Sequence, residues 1–339
     1  MRPSGVFFRS VHILNPFRVR YPIRPNRRVF LTEEHVARSL VDGLDLKNSD
    51  YSHIVEMNPG HGSISRAVLN VTNPKKYILL EPAPIFSKDL DLLARKFEGV
   101  VQNIPQDGFN WNTFENLFAS ELKEVAKQSD DNLHSKILFI ATLPIAVKGE
   151  QLVSQWLNCI YYRHWMQHFG RVRMILLLRD KIGRRLVSEP KGINWSKLGI
   201  VAKLLTDSRV IAVDQDSFRE DPVTNKDTVI LDKADFVPAT SMYCVDIRPK
   251  RPEVSLIFEE FEYVVKTLMF LRKVPIRTNL RLLGIGAQEG MVSKCSEVVD
   301  LDKSASDLTL NEFIQITQIY SDWPLKPNLQ SITRTGHSA

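Results

Sequence analysis

The sequence predicts an α/β fold in which a parallel sheet carries crossover helices and is followed by a small helical domain. Short apolar runs of strand length alternate with stretches of helical periodicity up to residue 247, and this alternation is typical of parallel sheets. Beyond Pro249 and Pro252 the periodicity becomes helical. We therefore expect a basic presequence or arm at 1–28, an α/β domain at 29–248, a helical domain at 249–323 and a flexible tail at 324–339.

The individual elements follow from apolar spacing and from turn residues. Strands are predicted at 53–57, 76–80, 136–142, 172–178, 210–213 and 242–247, and helices at 32–46, 64–71, 85–96, 113–126, 149–168, 196–205, 258–271 and 309–320. Thr32 is the expected N-cap of the first helix. Thr309 and Glu312 have the spacing of a capping box at the start of the last one.

The overall composition is that of an ordinary globular protein with an excess of positive charge. Hydrophobic residues make up 43% and charged residues 25% of the chain, and no apolar run is long enough to predict a membrane span. The net charge of +6 favours an anionic partner. Three widely spaced cysteines and eight histidines form no disulfide framework and no metal motif, so we predict no metal site.

The amino-terminal segment has a composition of its own. Residues 1–32 contain seven arginines but no acidic residue and no lysine, and apolar side chains lie between the arginines. Such a beginning is typical of a mitochondrial presequence, and it predicts the mitochondrial matrix as the compartment. The alternative is a basic arm that stays on the mature protein and contacts nucleic acid. Pro22 and Pro25 argue against one long presequence helix.

A glycine-rich turn follows the first predicted sheet strand. Residues 56–62 read Glu-Met-Asn-Pro-Gly-His-Gly and join a strand to a helix. Glycines at such a turn allow a ligand to approach the backbone closely. The alternative is a tight turn that serves packing alone.

Two acidic residues strengthen the prediction of a nucleoside site. Glu81 ends the next strand, about twenty residues after the turn, where a carboxylate can accept both hydroxyls of a ribose. Asp107 follows residues 102–106, at the position where a further strand of the sheet should end, and is a candidate for the exocyclic amine of adenine. Taken by itself, Asp107 is equally compatible with a solvated turn.

Several segments resemble the ribosomal RNA adenine dimethyltransferases. Residues 56–62 are similar to that family's E-x-G-P-G-x-G turn, and Phe30-Leu31, 177–190 and 309–313 resemble its opening segment, later strand and helix, and carboxy-terminal domain. The resemblance covers about 29–323. It implies a Rossmann-like S-adenosylmethionine-dependent methyltransferase fold with a small C-terminal helical domain. It also implies a cofactor site at Leu31, Glu56, Gly60, Gly62, Glu81, Asp107 and Thr142.

The departures from the family concern its chemistry. The family's enzymes carry Asn-Leu-Pro followed by Tyr or Phe, where the amide holds the target nitrogen and the ring stacks on the flipped base. Here residues 142–145 read Thr-Leu-Pro-Ile, and Asn58 replaces the first glycine of the turn. We therefore predict no catalytic residues, no methylating activity and no requirement for S-adenosylmethionine, although weak binding remains compatible with the turn.

Basic residues are concentrated where the family meets RNA. We expect a nucleic-acid surface at Arg179, Lys181, Arg184, Arg185, Lys191 and Lys197, with Arg171 and Arg173 nearby and a second cluster at Arg272, Lys273, Arg277 and Arg281. For any one cluster the alternative is a solvated helix face.

Segments 96–99, 155–157 and 322–327 resemble the family's branch of fungal mitochondrial transcription factors. That branch implies a transcription initiation factor that assists mitochondrial RNA polymerase in recognising and melting promoters, with promoter DNA, including the unpaired nontemplate strand, as its ligand. RNA is a further candidate ligand. The alternatives are a mitochondrial ribosomal RNA adenine N6-dimethyltransferase and a structural RNA-binding protein of the mitochondrial ribosome.

Overall fold

The fold is built on an eight-stranded sheet with the strand order β4-β3-β2-β5-β6-β10-β7-β8. The structure is a computed structural model that describes residues 28–145, 147–218 and 226–329. A separate two-stranded ribbon pairs β1 with β9. The strands are β1 (Phe30–Leu31), β2 (His53–Met57), β3 (Lys76–Leu80), β4 (Val101–Ile104), β5 (Leu133–Thr142), β6 (Arg171–Arg179), β7 (Thr206–Asp214), β8 (Val229–Leu231), β9 (Phe236–Val237) and β10 (Met242–Pro249).

The sheet is mixed, because one strand runs antiparallel to its neighbours, whereas the alternation of strands and helices predicts a parallel sheet. Strands β4, β3, β2, β5 and β6 pair in parallel, as expected of strands joined by crossover helices. β10 then enters between β6 and β7 and runs antiparallel to both. The short apolar run at 242–247 predicts a strand, but strand direction depends on long-range pairing that a local pattern does not contain.

Each of the eight predicted helices has a counterpart, with ends that differ by up to seven residues, and the described residues contain four further helices that were not predicted. They are α1 (Glu34–Asp42), α2 (Ser63–Leu69), α3 (Ser87–Lys96), α4 (Trp111–Ala119), α5 (Val147–Tyr162), α6 (Asp180–Leu186), α7 (Lys197–Leu205), α8 (Gln215–Phe218), α9 (Phe258–Phe270), α10 (Ile276–Asn279), α11 (Ala287–Ser296) and α12 (Leu310–Ser321). The capping box of Thr309 and Glu312 is present at α12.

The expected N-cap of the first helix was wrong. Glu33 takes the cap position of α1, without a side-chain cap hydrogen bond. The Thr32 hydroxyl and amide both donate to the carbonyl of Asp235, 2.9 Å away in each case. Thr32 therefore continues the pairing of β1 with β9 instead of starting the helix.

Two hydrophobic cores cover the two faces of the sheet. One contains α1, α2 and α3 together with β1 and β9. The other combines α4, α5 and α7 with α9 to α12, so that the helices after residue 257 pack on the same continuous core as the sheet. Among the described residues no helix is long and apolar enough to cross a membrane.

A buried ion-pair network ties three strands together. Asp246 on β10 is fully buried, and its carboxylate accepts from Arg173 on β6 at 2.7 and 2.9 Å and from Arg248 at 3.0 Å. Arg209 on β7 lies 3.6 Å away. Arg173 also donates to the carbonyl of Leu44, at 2.8 Å. Burial opposes the charged form of Arg173, but its hydrogen bonds to Asp246 prevail and raise its pKa.

The expectations for both ends of the chain lie largely outside the described residues. These are the presequence or arm, of which Arg28 alone is described, and the part of the tail from residue 330 onwards. The described part of the tail, 324–329, is anchored by Lys326, whose ammonium lies 2.7 Å from Glu260 and donates to the carbonyl of Ser321.

Candidate cofactor cleft and basic surface

The carboxyl ends of the parallel strands β4, β3, β2, β5 and β6 meet at one edge of the sheet. Met57 at the end of β2 lies opposite Leu80 of β3 and Ala141 of β5 in the strand register. The chain leaves β2 in one direction towards β3 and β4 and returns on the other side to β5. Ligands of open α/β sheets bind in the crevice at such a reversal, outside the carboxyl ends of the strands.

The glycine-rich turn lies at this edge. Gly60 and Gly62 have positive φ angles of 60° and 79°. A Cβ atom on Gly60 would lie 2.6 Å from the Cβ of Phe30, so any side chain there would collide with β1. Asn58 also has a positive φ, of 60°, which asparagine tolerates better than most residues. The turn therefore keeps its shape although its first glycine is replaced.

Glu56 is fully buried beneath the turn. Its Oε2 accepts from the Ser65 hydroxyl at 2.6 Å and from the Tyr77 hydroxyl at 2.7 Å, while its Oε1 has no hydrogen-bond partner among the described residues. Burial raises the pKa of this carboxyl from 4.5 to about 7, against the opposing effect of the two hydroxyl donors.

Glu56→Gln is expected to remove a pH dependence of stability. Because the folded-state pKa is raised, the native state holds the Glu56 proton more tightly than the unfolded chain. The contribution of Glu56 to the free energy of unfolding should therefore be largest below pH 4.5 and should be lost as the pH rises to about 7. The expected loss is about 3 kcal/mol. Urea unfolding at a series of pH values measures the difference between wild type and variant.

Glu121→Gln is the matched control for this titration. Its hydrogen bond with Lys76 lowers the pKa of Glu121, so the contribution of this carboxylate to stability is lost as the pH falls. Glu121→Gln should therefore remove a pH dependence of stability that is opposite in sign to that of Glu56. Parallel stability curves for wild type and Glu56→Gln between pH 4.5 and 7 would contradict a buried, protonated Glu56.

Glu81 follows β3 and is 3% exposed. Its Oε1 accepts from Arg28 Nη1 at 2.8 Å and from the Ala83 amide at 3.0 Å. Its Oε2 accepts from Arg28 Nη2 at 2.5 Å and from the Gly60 amide at 3.1 Å. The carboxylate thus receives four hydrogen bonds, two of them from one bidentate guanidinium.

Asn58 connects the ends of β2 and β5. Its Nδ2 donates to the carbonyl of Thr142 at 3.0 Å, and both residues are buried. Two positions that depart from the family's motif are thereby joined across the crevice. Ile145, at the place of the family's aromatic residue, is half-buried and packs against the core formed by α1, α2 and α3.

The remaining predicted cofactor residues surround the same edge. Leu31 is buried in β1, next to the Phe30 that backs the glycine turn. Asp107 follows β4, and its Oδ1 accepts from the amide of Phe109 at 2.9 Å. A Cβ atom on the adjacent Gly108 would lie 2.7 Å from the sulfur of Met57. All seven predicted residues thus belong to the strand ends, the turn or the ribbon beside it.

The cleft has the architecture of an S-adenosylmethionine site, but its ribose position does not fit the cofactor. The positive φ angles of Gly60 and Gly62 and the orphaned oxygen of Glu56 are compatible with a ligand. An ionised carboxylate offers about four lone-pair positions. All four on Glu81 are used within the protein, so none is left for ribose hydroxyls.

Arg28 and Asn58 are the cleft residues whose contacts sequence reasoning missed. Arg28 had been placed in the presequence or arm, and its partner Glu81 is 53 positions away. The motif shows that Asn58 replaces the first glycine of the turn, but it does not predict the hydrogen bond from Asn58 to the carbonyl of Thr142. An arginine directly before a buried strand is a weak sequence indication, because it does not say which carboxylate it meets.

The predicted nucleic-acid residues lie on β6, α6, the following loop and α7. Arg179 ends β6 two residues beyond Leu177, the register partner of Thr142, and so belongs to the edge that bears the cleft. Lys181 and Lys191 are exposed and have no ion pair with a described residue. Ion pairs within the chain engage the other three: Arg184 with Asp180 at 3.7 Å, Arg185 with Glu150 at 2.8 Å and Lys197 with Glu262 at 2.7 Å.

Arg171 and Arg173 were wrongly grouped with this surface. They lie at the amino end of β6, at the opposite edge of the sheet from Arg179. Arg173 is 5% exposed and bound to Asp246, whereas Arg171 donates to the carbonyl of Pro249 at 2.6 Å. Proximity in sequence placed them together, but a nine-residue strand separates its two ends by the full height of the sheet.

The second basic cluster adjoins the first. The Arg272 guanidinium donates to the carbonyls of Gly192 and Ile193, at 3.5 and 3.4 Å, in the loop that carries Lys191. Phe270, at the end of α9, is 80% exposed. The end of α9, with its exposed ring, therefore lies beside the loop that carries Lys191, whereas Arg277 of the same cluster pairs with Asp302 at 3.6 Å.

The strand order, the glycine-rich turn and the acidic residue after β3, Glu81, together define a Rossmann-like fold of the methyltransferase type. The chain belongs to the ribosomal RNA adenine dimethylase family, whose sequence model matches residues 27–322. The crystal structure of a dimethyladenosine transferase from Plasmodium falciparum is similar with a TM-score of 0.59 over 88% of this chain and 99% of that chain. Its sequence identity of 12% shows the fold alone. The predicted fold class and family are confirmed.

The relatives that match this chain include proteins named as transcription factors and proteins named as dimethyladenosine transferases. The chain is 27% identical to Mitochondrial transcription factor 1 of Lachancea kluyveri and 29% identical to that of Saccharomyces cerevisiae. Both matches cover 88% of this chain and 90% of the relative. Mitochondrial dimethyladenosine transferase 1 of Bos taurus is 24% identical, over 80% of this chain and 75% of that protein.

Proposed function

We propose that this chain is a mitochondrial transcription initiation factor of the matrix, which helps mitochondrial RNA polymerase to recognise and melt promoters. The observation that carries this proposal is the altered cleft. Glu81 is saturated by internal donors, and Thr142 and Ile145 stand where the family's enzymes hold and stack the target base. The names of the fungal relatives, whose matches span nearly the whole chain, support the same function.

The DNA surface in this proposal is the cationic face beside the cleft. In this proposal Arg179, Lys181 and Lys191 carry the phosphate contacts, whereas Arg184, Arg185 and Lys197 lie on the same face but are held in internal ion pairs. The helices within residues 249–323 contribute the second basic cluster. Phe270, at the end of α9, offers an unpaired base an exposed ring on which to stack. Stacking is tolerant of sequence, so it suits a melted nontemplate strand.

Two assays separate this function from the family's enzymatic one. The purified chain should increase runoff transcripts from mitochondrial RNA polymerase on a promoter, and it should transfer no methyl group from S-adenosylmethionine to a small-subunit ribosomal RNA hairpin. Loss of the amide and the ring should cost several orders of magnitude in rate, because base stacking alone contributes about 1–3 kcal/mol. Methyl transfer above a no-protein control, without an effect on runoff, would establish the dimethyltransferase alternative.

Lys181→Ala with Lys191→Ala is expected to reduce the salt dependence of DNA binding. These two lysines lack an internal ion pair among the described residues, so their charge is fully available to phosphate. The slope of log affinity against log salt should fall in magnitude by about 2. Fluorescence anisotropy with a promoter duplex over a series of salt concentrations measures the slope.

Arg185→Ala with Glu150→Ala is the matched control for that double variant. It removes an internal ion pair on the same face and leaves the net charge unchanged, so the slope should change little. An equal fall in slope for both double variants would contradict the assignment of phosphate contacts to Lys181 and Lys191.

A further inference from the structure

We propose that Arg28 is an intramolecular occupant of the ribose position in the ancestral cofactor cleft. Its guanidinium takes the two acceptor positions on Glu81 that the two hydroxyls of a nucleoside would need. The cleft is thereby converted from a ligand site into an anchor that holds Arg28 and Val29, directly before β1, against the sheet.

The first support is the hydrogen-bond count at Glu81. Two of its four donors are backbone amides, of Gly60 and Ala83, which belong to the turn and to the loop after β3. The other two come from Arg28, one to each carboxylate oxygen. Departure of Arg28 alone would free one acceptor position on each oxygen, which is the pattern that a ribose diol requires.

The second support is the setting of the guanidinium. The side chain of Arg28 is 19% exposed and that of its partner Glu81 is 1% exposed. The guanidinium also lies 5.7 Å from the centre of the Phe86 ring, which packs edge-on against Phe30 and His61. A bidentate pair over an aromatic face is a geometry that arginine provides and lysine does not.

A third observation separates the contribution of Arg28 from that of Asn58. The Arg28 Nε is buried and has no partner among the described residues, so its polar interactions are those with Glu81. The hydrogen bond from Asn58 to Thr142 links β2 to β5 without touching Glu81. Replacing Asn58 therefore leaves the ribose acceptors saturated, whereas replacing Arg28 frees them.

Calorimetric titration with S-adenosylhomocysteine tests the proposal on the full chain. Arg28→Gln should bind this probe at least about tenfold more tightly than wild type, the equivalent of one ordinary hydrogen bond. Asn58→Gly alone should show no gain, and the double variant should bind most tightly. Arg38→Gln is the matched control, since Arg38 is an exposed arginine that contacts the carbonyl of Glu34 in its own helix.

The outcome is decisive in either direction. A folded Arg28→Gln variant that binds no more tightly than wild type would overturn the proposal, and so would a gain equal to that of Arg38→Gln. If Arg28→Gln does not fold, nitrogen NMR of the Arg28 guanidinium in wild type decides instead. The bidentate pair should slow rotation of the guanidinium group, and the chemical shifts of its nitrogens should not change when S-adenosylhomocysteine is added in excess. A saturable change in these chemical shifts would overturn the proposal. Neither readout depends on transcription, so failure here would remove the saturation of Glu81 as support for the proposed function, and Thr142, Ile145 and the runoff assay would still test that function independently.

Discussion

Asp246→Ala is expected to lower the free energy of unfolding by about 4 kcal/mol, because breaking a buried ion pair leaves its partner charge uncompensated. Arg173, with a side chain 6% exposed, would lose both of its hydrogen bonds to the carboxylate. Arg209 and Arg248 would then add repulsion, since both lie within 3.6 Å of the same carboxylate. Urea unfolding followed by circular dichroism measures the loss.

The position of Asp246 explains why the loss should be large. β10 pairs antiparallel with β6 and β7, and the network joins all three strands to the end of the first helix through Leu44. Asp207→Ala is the matched control, because Asp207 is 69% exposed and pairs with Lys250 at the surface. Exposed pairs contribute at most about 1 kcal/mol.

A second variant distinguishes charge from packing. Arg173→Met combined with Asp246→Leu removes both charges together, and an apolar replacement of a buried pair is often neutral. This double variant should recover most of the stability that Asp246→Ala loses. Equal stability losses for Asp246→Ala and Asp207→Ala would contradict the structural role of the network.

Local patterns were sufficient where the interactions that decide an element are local. β2 and β3 begin and end at the predicted residues, since each is a short apolar run bounded by turn residues. The capping box at Thr309 lies within four consecutive residues and is formed as predicted. Helix ends were predicted less accurately. The helix predicted at 113–126 ends at Ala119, because tertiary packing, which a local pattern does not contain, determines where a helix ends.

Long-range pairing accounts for what the sequence did not predict. The partner of Arg173 is 73 positions away, so a run of basic residues gave no indication that this one is buried. The antiparallel entry of β10 has the same cause. At the cleft, the motif placed Glu56, Gly60, Glu81 and Thr142 at one edge, but the contacts of Arg28 and Asn58 depend on how distant segments meet.

The altered cleft and the cationic face fit a factor that prefers melted DNA over duplex DNA. Opening about four base steps costs about 6 kcal/mol of stacking. A protein offsets that cost only through the difference between its affinities for the two states. Phosphate contacts bind both states, whereas a ring such as that of Phe270 can stack only on bases that have left the duplex.

Runoff transcription on matched closed and premelted promoters tests the proposed melting role most directly. The two linear templates share one sequence and differ only in a mismatched bubble at the start site. Mitochondrial RNA polymerase should need the factor on the closed template, with transcripts near background in its absence. On the premelted template it should initiate with little dependence on the factor, because the stacking cost has already been met. Equal dependence on both templates would contradict the melting role and leave recruitment of the polymerase as the function.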